Sequence, residues 1–286
     1  MKFYIDVKGG LGYNFSALRV FQALIKKGHD IKVISPYWDV FVAGGIPVYK
    51  PNEYRDFIFD ARAEDGIIIE HRLYDMSDFI YKKLNYKDAW CKLLGVDPIT
   101  DEEYNHLELN IDCFNLKETV DKVKKEINGS FYLTQFWGGQ SPLGKLDKYD
   151  YENEPLKRHY QIVLAQKVVD ILSKEAKVVN YSLPNEPKLT GVKQFTIPYL
   201  AYYFLSKLPE CKGAITIDSS LAHIITGNCK VLTIWGHSLP DSFGYSCNKN
   251  LLQNCRRDEI LYFTALGPSG AKIDYAKPEE VINAFN

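Results

Sequence analysis

Short apolar runs alternate with amphipathic segments along the whole chain. "KFYIDV" is rich in β-branched and aromatic side chains. After it come "KGGLGYN", then "FSALRVFQALIKKGHD" with apolar residues at helical spacing, then a second strand-like run, "IKVIS". This β–glycine turn–α–β unit predicts two parallel strands joined by a right-handed crossover. "DFIFDA" and "GIIIEH" read as further strands, and "MSDFIYKKLNYKDAWCKLLG" as helical. The charged segment "NLKETVDKVKKEI" predicts a helix ended by "NGS". A domain boundary is expected there, giving residues 1–127 and 128–286. The second part repeats the alternation: strand "FYLTQFW", helix "HYQIVLAQKVVDILSKE", strand "AKVVNYS", helix "IPYLAYYFLSKLPE", strand "GAITID", helix "LAHIITGN", strand "KVLTIWG". Such alternation predicts a second parallel sheet with helices on both faces. "KPEEVINAF" closes the chain as a helix that is expected to cross back to the first domain.

Composition narrows this picture only slightly. With 286 residues, 46% hydrophobic and 25% charged, the chain is globular rather than disordered or fibrous. A net charge of −1 supplies no global attraction to a polyanion. The six cysteines show no CxxC pair, so zinc spacing is missing and reduced thiols are expected. "MKFYIDVKGG" reaches its glycine turn too early for a signal-peptide core, and no apolar run approaches bilayer length. A cytoplasmic location is expected.

Candidate chemistry lies at strand ends. In "KGGLGYN", Gly10 and Gly12 permit close backbone approach to a ligand beside a helix start. The pattern is neither GxGxxG nor a Walker loop. In "GAITIDSSLAHIITGNCKVLTIWG", Asp218, Ser219 and Ser220 fall at the carboxyl end of a buried strand, with His223 one turn into the next helix. Such a turn either caps its helix or cradles a phosphate.

The order of segments from Lys157 to Pro240 resembles the donor-binding half of GT-B glycosyltransferases of the ADP-heptosyltransferase group, glycosyltransferase family 9. The matching residues are Lys157 and Arg158 ahead of a helix, Glu186 after the next strand, Asp218-Ser219-Ser220-Leu221-Ala222-His223, and Trp235-Gly236. The resemblance implies an α/β fold of GT-B architecture, two Rossmann-like domains facing across a cleft. The first would bind the acceptor and the second a nucleotide-diphosphate sugar. Lys157 or Arg158 would then neutralise the diphosphate, Glu186 would accept from ribose hydroxyls, and Ser219, Ser220 and His223 would donate to phosphate. The enzyme would need neither cofactor nor metal; the chain has no Asp-x-Asp motif. The implied acceptor is a surface glycan such as lipopolysaccharide core, with a protein side chain or hydroxylated bases of modified DNA as alternatives. Proximity to a membrane surface is implied, and an obligate protein partner is not.

Two departures stand out. Ser220 replaces the family's glycine, and Tyr13 replaces the aspartate that serves many members as base. A phenol with a pKa near 10 is a poor base at neutral pH. Glu70 and His71 end "GIIIEH" and are the replacement candidates, Glu70 preferred; Asp6 and Asp39 rank below them. Strand neighbours point to opposite faces, so the two do not share one role. Trp137 and the segment "LPDSFGY" either border the donor or only pack. Competing readings are a non-catalytic nucleotide-sugar binder and a GT-B-like epimerase.

Overall fold

The computed structural model describes residues 1–81, 84–138, 159–183, 186–236, 238–255 and 273–286. They fall into two compact units, Met1–Leu116 and Lys117–Asn286.

The first unit contains β1 (Lys2–Asp6), α1 (Leu11–Lys26), β2 (Asp30–Ile34), α2 (Trp38–Ala43), β3 (Val48–Tyr49), α3 (Tyr54–Ala63), β4 (Ile67–Glu70), α4 (Ser77–Tyr81), α5 (Tyr86–Leu94) and α6 (Asp101–Asn105). Its four strands are all parallel, in the order β3-β2-β1-β4. The predicted first crossover is present, with Phe3 beside Ile31 and Ile5 beside Val33. One prediction fails: "DFIFDA" belongs to α3 and is not a strand. Its buried residues, Phe57 and Ala61, are four apart, which is helical spacing; the run was too short to show its period. The long helix expected after Met76 is split into α4 and α5. Asn85 is the cause, since its side chain caps α5 by accepting from the Lys87 N–H at 3.1 Å. Helix α1 packs on α5 and α6. Its Arg19 is fully buried and donates to the Asn105 carbonyl at 2.7 Å, placing a cation at the end of α6.

The second unit opens with α7 (Leu116–Ile127) and continues through β5 (Phe131–Gln135), α8 (Ile162–Leu172), β6 (Lys177–Asn180), β7 (Val192–Lys193), α9 (Leu200–Ser206), β8 (Cys211–Ile217), α10 (Ser220–Ile225), β9 (Val231–Trp235), α11 (Pro240–Phe243), β10 (Lys249–Leu252), β11 (Asn254–Cys255), β12 (Ile273–Asp274) and α12 (Pro278–Phe285). Six parallel strands form one sheet, β10-β9-β8-β5-β6-β7. Helix α7, which the sequence reading placed at the end of the first domain, is held within this unit. Lys124 pairs with Glu210 at 2.8 Å, and Lys177 donates to the Asn128 carbonyl at 2.6 Å.

One face of this sheet, through Tyr132, Val178, Ile215, Ile217, Leu232 and Ile234, packs on α8 and α12. Side-chain alternation leaves the other face to α9 and α10. The closing helix packs within this unit. Val281 and Phe285 are buried in this core, with Phe285 edge-on to Tyr132 at 5.8 Å, so its apolar stripe is already covered. Among the described residues, no helix is long and apolar enough to cross a membrane.

Candidate functional site

Parallel strands deliver their carboxyl ends to one edge of a sheet, and in the second unit that edge is polar. Ile217 of β8 lies beside Ile234 of β9, so Asp218 leaves β8 level with Trp235 at the end of β9. Asp218, Ser219 and His223 are only 3, 6 and 8% exposed; Ser220 is half-buried. Asp218 Oδ2 accepts from Ser238 Oγ, and Asp218 Oδ1 lies 3.7 Å from His223 Nε2. On the other side of the imidazole, Nδ1 stands 2.9 Å from the Tyr245 hydroxyl. Ser238, Asp218, His223 and Tyr245 thus form one linked set, drawn from two stretches of chain.

The helix cap expected from Asp218 and Ser219 is supplied from elsewhere. Ser219 is the extended residue before α10, and its hydroxyl makes no cap bond. Instead the Leu221 N–H donates at 3.0 Å to Gln135 Oε1, the buried last side chain of β5. Ser219 lies against the backbone of Gly138, where a Cβ would stand 2.0 Å from Ser219 Oγ. Only glycine fits that approach. Trp137, beside it, is a core residue, 1% exposed and edge-on to Phe136 at 6.1 Å.

Glu186 follows β6 at the same edge and is 8% exposed. Its Oε2 accepts from the Leu183 N–H at 2.7 Å. Burial pushes the carboxyl pKa up to about 7, and the Leu183 N–H opposes this only in part. Asn180, the buried last residue of β6, accepts from Thr134 Oγ1 at 3.0 Å. Lys157 and Arg158 lie outside the described residues.

The corresponding edge of the first unit is aromatic. Gly9 takes φ +109°, and a Cβ there would stand 3.0 Å from the Tyr13 ring, so this is the glycine the turn requires. Gly10 has ordinary extended geometry as the residue before α1, and Gly12 is already helical. Buried Asn14 ties the turn down, donating to the Gly10 carbonyl at 3.0 Å and accepting from Ser35 Oγ at 2.7 Å. His71 sits beside this turn, its N–H donating to the Asp6 carbonyl at 3.0 Å. Its ring stacks on Trp90 at 5.1 Å and lies 6.2 Å from the Tyr13 ring. Nδ1 meets the Lys8 carbonyl, and Nε2 is 3.4 Å from the Tyr86 hydroxyl. A carbonyl only accepts, so Nδ1 carries hydrogen and Nε2 holds the lone pair of the neutral ring. Burial holds the His71 pKa below the ordinary histidine value.

Glu70 is placed differently. It is exposed and paired with Arg72 at 2.8 Å, which holds its carboxyl below the usual range. Asp6 pairs with Lys8 at 3.0 Å, and Asp39 accepts from the Val40 N–H at 3.1 Å in the first turn of α2. Among the described residues, no group of three or more His, Cys, Asp or Glu side chains is placed to hold a metal ion.

The site residues missed from sequence are Gln135 and Ser238; Tyr245 ends the "LPDSFGY" segment, though its partner His223 is not foreseen there. Gln135 carried a signal, as a polar residue ending an otherwise apolar strand. Ser238 carried none, because its partner Asp218 is twenty positions away.

Neither a protein-family model nor a curated protein matches the chain. Solved structures do. A glycosyltransferase family 9 protein from Veillonella parvula aligns with a TM-score of 0.68 at 13% identity, over 99% of this chain and 95% of that one. The ADP-heptose lipopolysaccharide heptosyltransferase II of Escherichia coli aligns with a TM-score of 0.60 at 13% identity, over 100% and 98%. The iron-containing dodecameric glycosyltransferase TibC of enterotoxigenic E. coli aligns with a TM-score of 0.54 at 14% identity, over 86% and 63%. Likeness at such identity speaks to architecture alone: this chain has the GT-B fold.

Proposed function

We propose that the protein is a glycosyltransferase. In this reading the second unit binds a nucleotide-diphosphate sugar and the first unit presents an acceptor hydroxyl. The observation that carries the reading is the linked set Ser238–Asp218–His223–Tyr245 at the carboxyl edge of a parallel sheet, the place where such sheets bind ligands. The GT-B fold shared with glycosyltransferases, including one that acts with ADP-heptose, supports it. His223 and the Ser220 hydroxyl are the described donors for the diphosphate, whose charge grows as the glycosidic bond breaks. Lys157 or Arg158 would add positive charge without a metal. Glu186 is assigned to the ribose, as acidic residues are in other nucleotide folds.

For the acceptor proton we assign His71 in preference to Glu70. A general base needs an available lone pair and a pKa not far from working pH. His71 has its tautomer set by the Lys8 carbonyl, which puts the lone pair on Nε2, 3.4 Å from the Tyr86 hydroxyl, whereas Glu70 is tied to Arg72. A glycan is favoured over DNA as acceptor. In "KKLNYKDAWCK", Lys82 and Lys83 lie outside the described residues; among the described ones Lys87 and Lys92 are paired with Asp88 and Asp78, and the Tyr86 and Trp90 rings are buried, so these residues offer no stacking surface.

The test is calorimetry with a panel of nucleotide sugars, followed by product analysis against glycan acceptors. Selective binding of one donor and its consumption only with an acceptor is the expected result. No binding by folded protein would overturn the reading. Tyr13 at the turn supports a second reading, a nucleotide-sugar binder without transfer; binding with no turnover of any acceptor would favour it.

A further inference from the structure

The stretch from Ser238 to Asn248 is laid along α10 and tied to it near the start, middle and end. Ser238 Oγ donates to Asp218, the Tyr245 hydroxyl meets His223 Nδ1 at 2.9 Å, and Asn248 Nδ2 donates to Thr226 Oγ1 at 2.9 Å. Tyr245 and Asn248 are 3 and 8% exposed. The middle tie differs in kind from the outer two, because a histidine has two neutral tautomers and a phenol can serve either one. Asp218 biases that choice without fixing it, so the tautomer also depends on the hydrogen that Tyr245 supplies. The Asp218 carboxylate lies 3.7 Å from Nε2, beyond hydrogen-bond length, but its negative charge favours an N–H over a lone pair on that side of the ring and so leaves Nδ1 to accept.

We infer that Tyr245 is a positioning residue that donates to His223 Nδ1 and locks the imidazole as the Nε2–H tautomer, so that it presents an N–H rather than a lone pair to an anionic oxygen. This rests on the donor-site reading above for its consequence, diphosphate binding, though not for the tautomer itself. A lone pair at Nε2 would face both Asp218 and the incoming phosphate, two anionic acceptors. The hydroxyl of Tyr245 thus acts on the ligand only through His223, and the Ser238 bond fixes the carboxylate that biases the sense of the chain. Asn248 anchors the same stretch without touching the imidazole, which makes it the internal control.

The experiment compares wild type, Tyr245→Phe and Asn248→Ala by imidazole 15N NMR at pH 8 and by titration with nucleoside diphosphates and the matching nucleosides. Wild type should show His223 as Nε2–H, and Tyr245→Phe should show mixed tautomers with its fold retained. Its diphosphate Kd should rise about tenfold, the scale of one well-aligned hydrogen bond to a charged group, with the nucleoside Kd unchanged. Asn248→Ala should lower Tm and leave the tautomer alone. An Nδ1–H signal in wild type, an unaltered spectrum in Tyr245→Phe, or equal loss of diphosphate affinity in both variants would overturn the inference. If no nucleoside diphosphate binds folded wild type, the donor-site reading fails, and the spectra alone decide the tautomer.

Discussion

The two units place a histidine at the carboxyl edge of a parallel sheet, and they hold it by opposite means. In the first unit His71 lies among rings, stacked on Trp90 and near Tyr13 and Tyr86, and a backbone carbonyl fixes its hydrogen on Nδ1. In the second unit His223 lies in a chain of polar side chains, and a carboxylate draws its hydrogen to Nε2. The same residue type therefore offers a lone pair at Nε2 on one sheet and an N–H at Nε2 on the other. An acceptor suits proton removal and a donor suits an anionic leaving group. The fold gives each histidine its position, and the immediate neighbours decide its chemistry.

The largest effect should come from abolishing one side of this comparison. His71→Ala is expected to lower kcat about a thousandfold, the scale of general-base catalysis, while leaving donor Kd unchanged. Glu70→Gln should change kcat only a few-fold. Because the His71 pKa lies below the usual ~6.5, the acid limb of the kcat/KM profile should fall below that value. A limb that persists in the His71 variant would assign the base elsewhere.

The buried carboxyl on the polar edge gives the next effect. Burial in the folded state raises the Glu186 pKa from the ordinary 4.5 to about 7. The folded state therefore binds a proton more tightly than the unfolded one. The resulting stabilisation is full below pH 4.5 and lost as pH rises through 7. Denaturant melts of wild type should show a loss of up to about 3 kcal/mol across that window. Glu186→Gln should remove that part of the pH dependence.

Asp218→Ala removes the group that orients His223. A roughly 30-fold weaker diphosphate affinity is expected, about 2 kcal/mol, with the first unit's chemistry untouched. Calorimetry on folded protein measures it directly. The smallest change is Gly138→Ala, whose Cβ would run into Ser219; a loss of about 1–2 kcal/mol, read as a lowered Tm, is expected from overpacking. An unchanged Tm would mean that the approach of Gly138 to Ser219 is not tight.

Much of this architecture was legible in the sequence because parallel strands buried on both faces are continuous apolar runs. "GAITI" and "KVLTIW" emerged as β8 and β9, and the polar turn between them as the edge of a site. What failed had a common cause. "DFIFDA" is six residues, too short for its period to be read. The cap on α10 and the partner of His223 come from Gln135 and Tyr245, 86 and 22 positions away, and no local pattern encodes such pairings. Strand order is likewise a tertiary fact: β5 lies between β8 and β6 although β8 follows it by more than seventy residues.

The docking of α12 also has a consequence for how the molecule is made. The second unit begins at Lys117, yet the core under β5, β8 and β9 is closed by Val281 and Phe285, and the buried Tyr160 hydroxyl is satisfied by the Ala276 carbonyl. During synthesis the first unit can finish folding while the second is still being extended. The central strands of the second unit must then wait, with the part of one apolar face that α8 does not cover still exposed, until α12 leaves the ribosome. That interval, rather than any weakness of the finished fold, is when this chain is most exposed to aggregation and most in need of a chaperone.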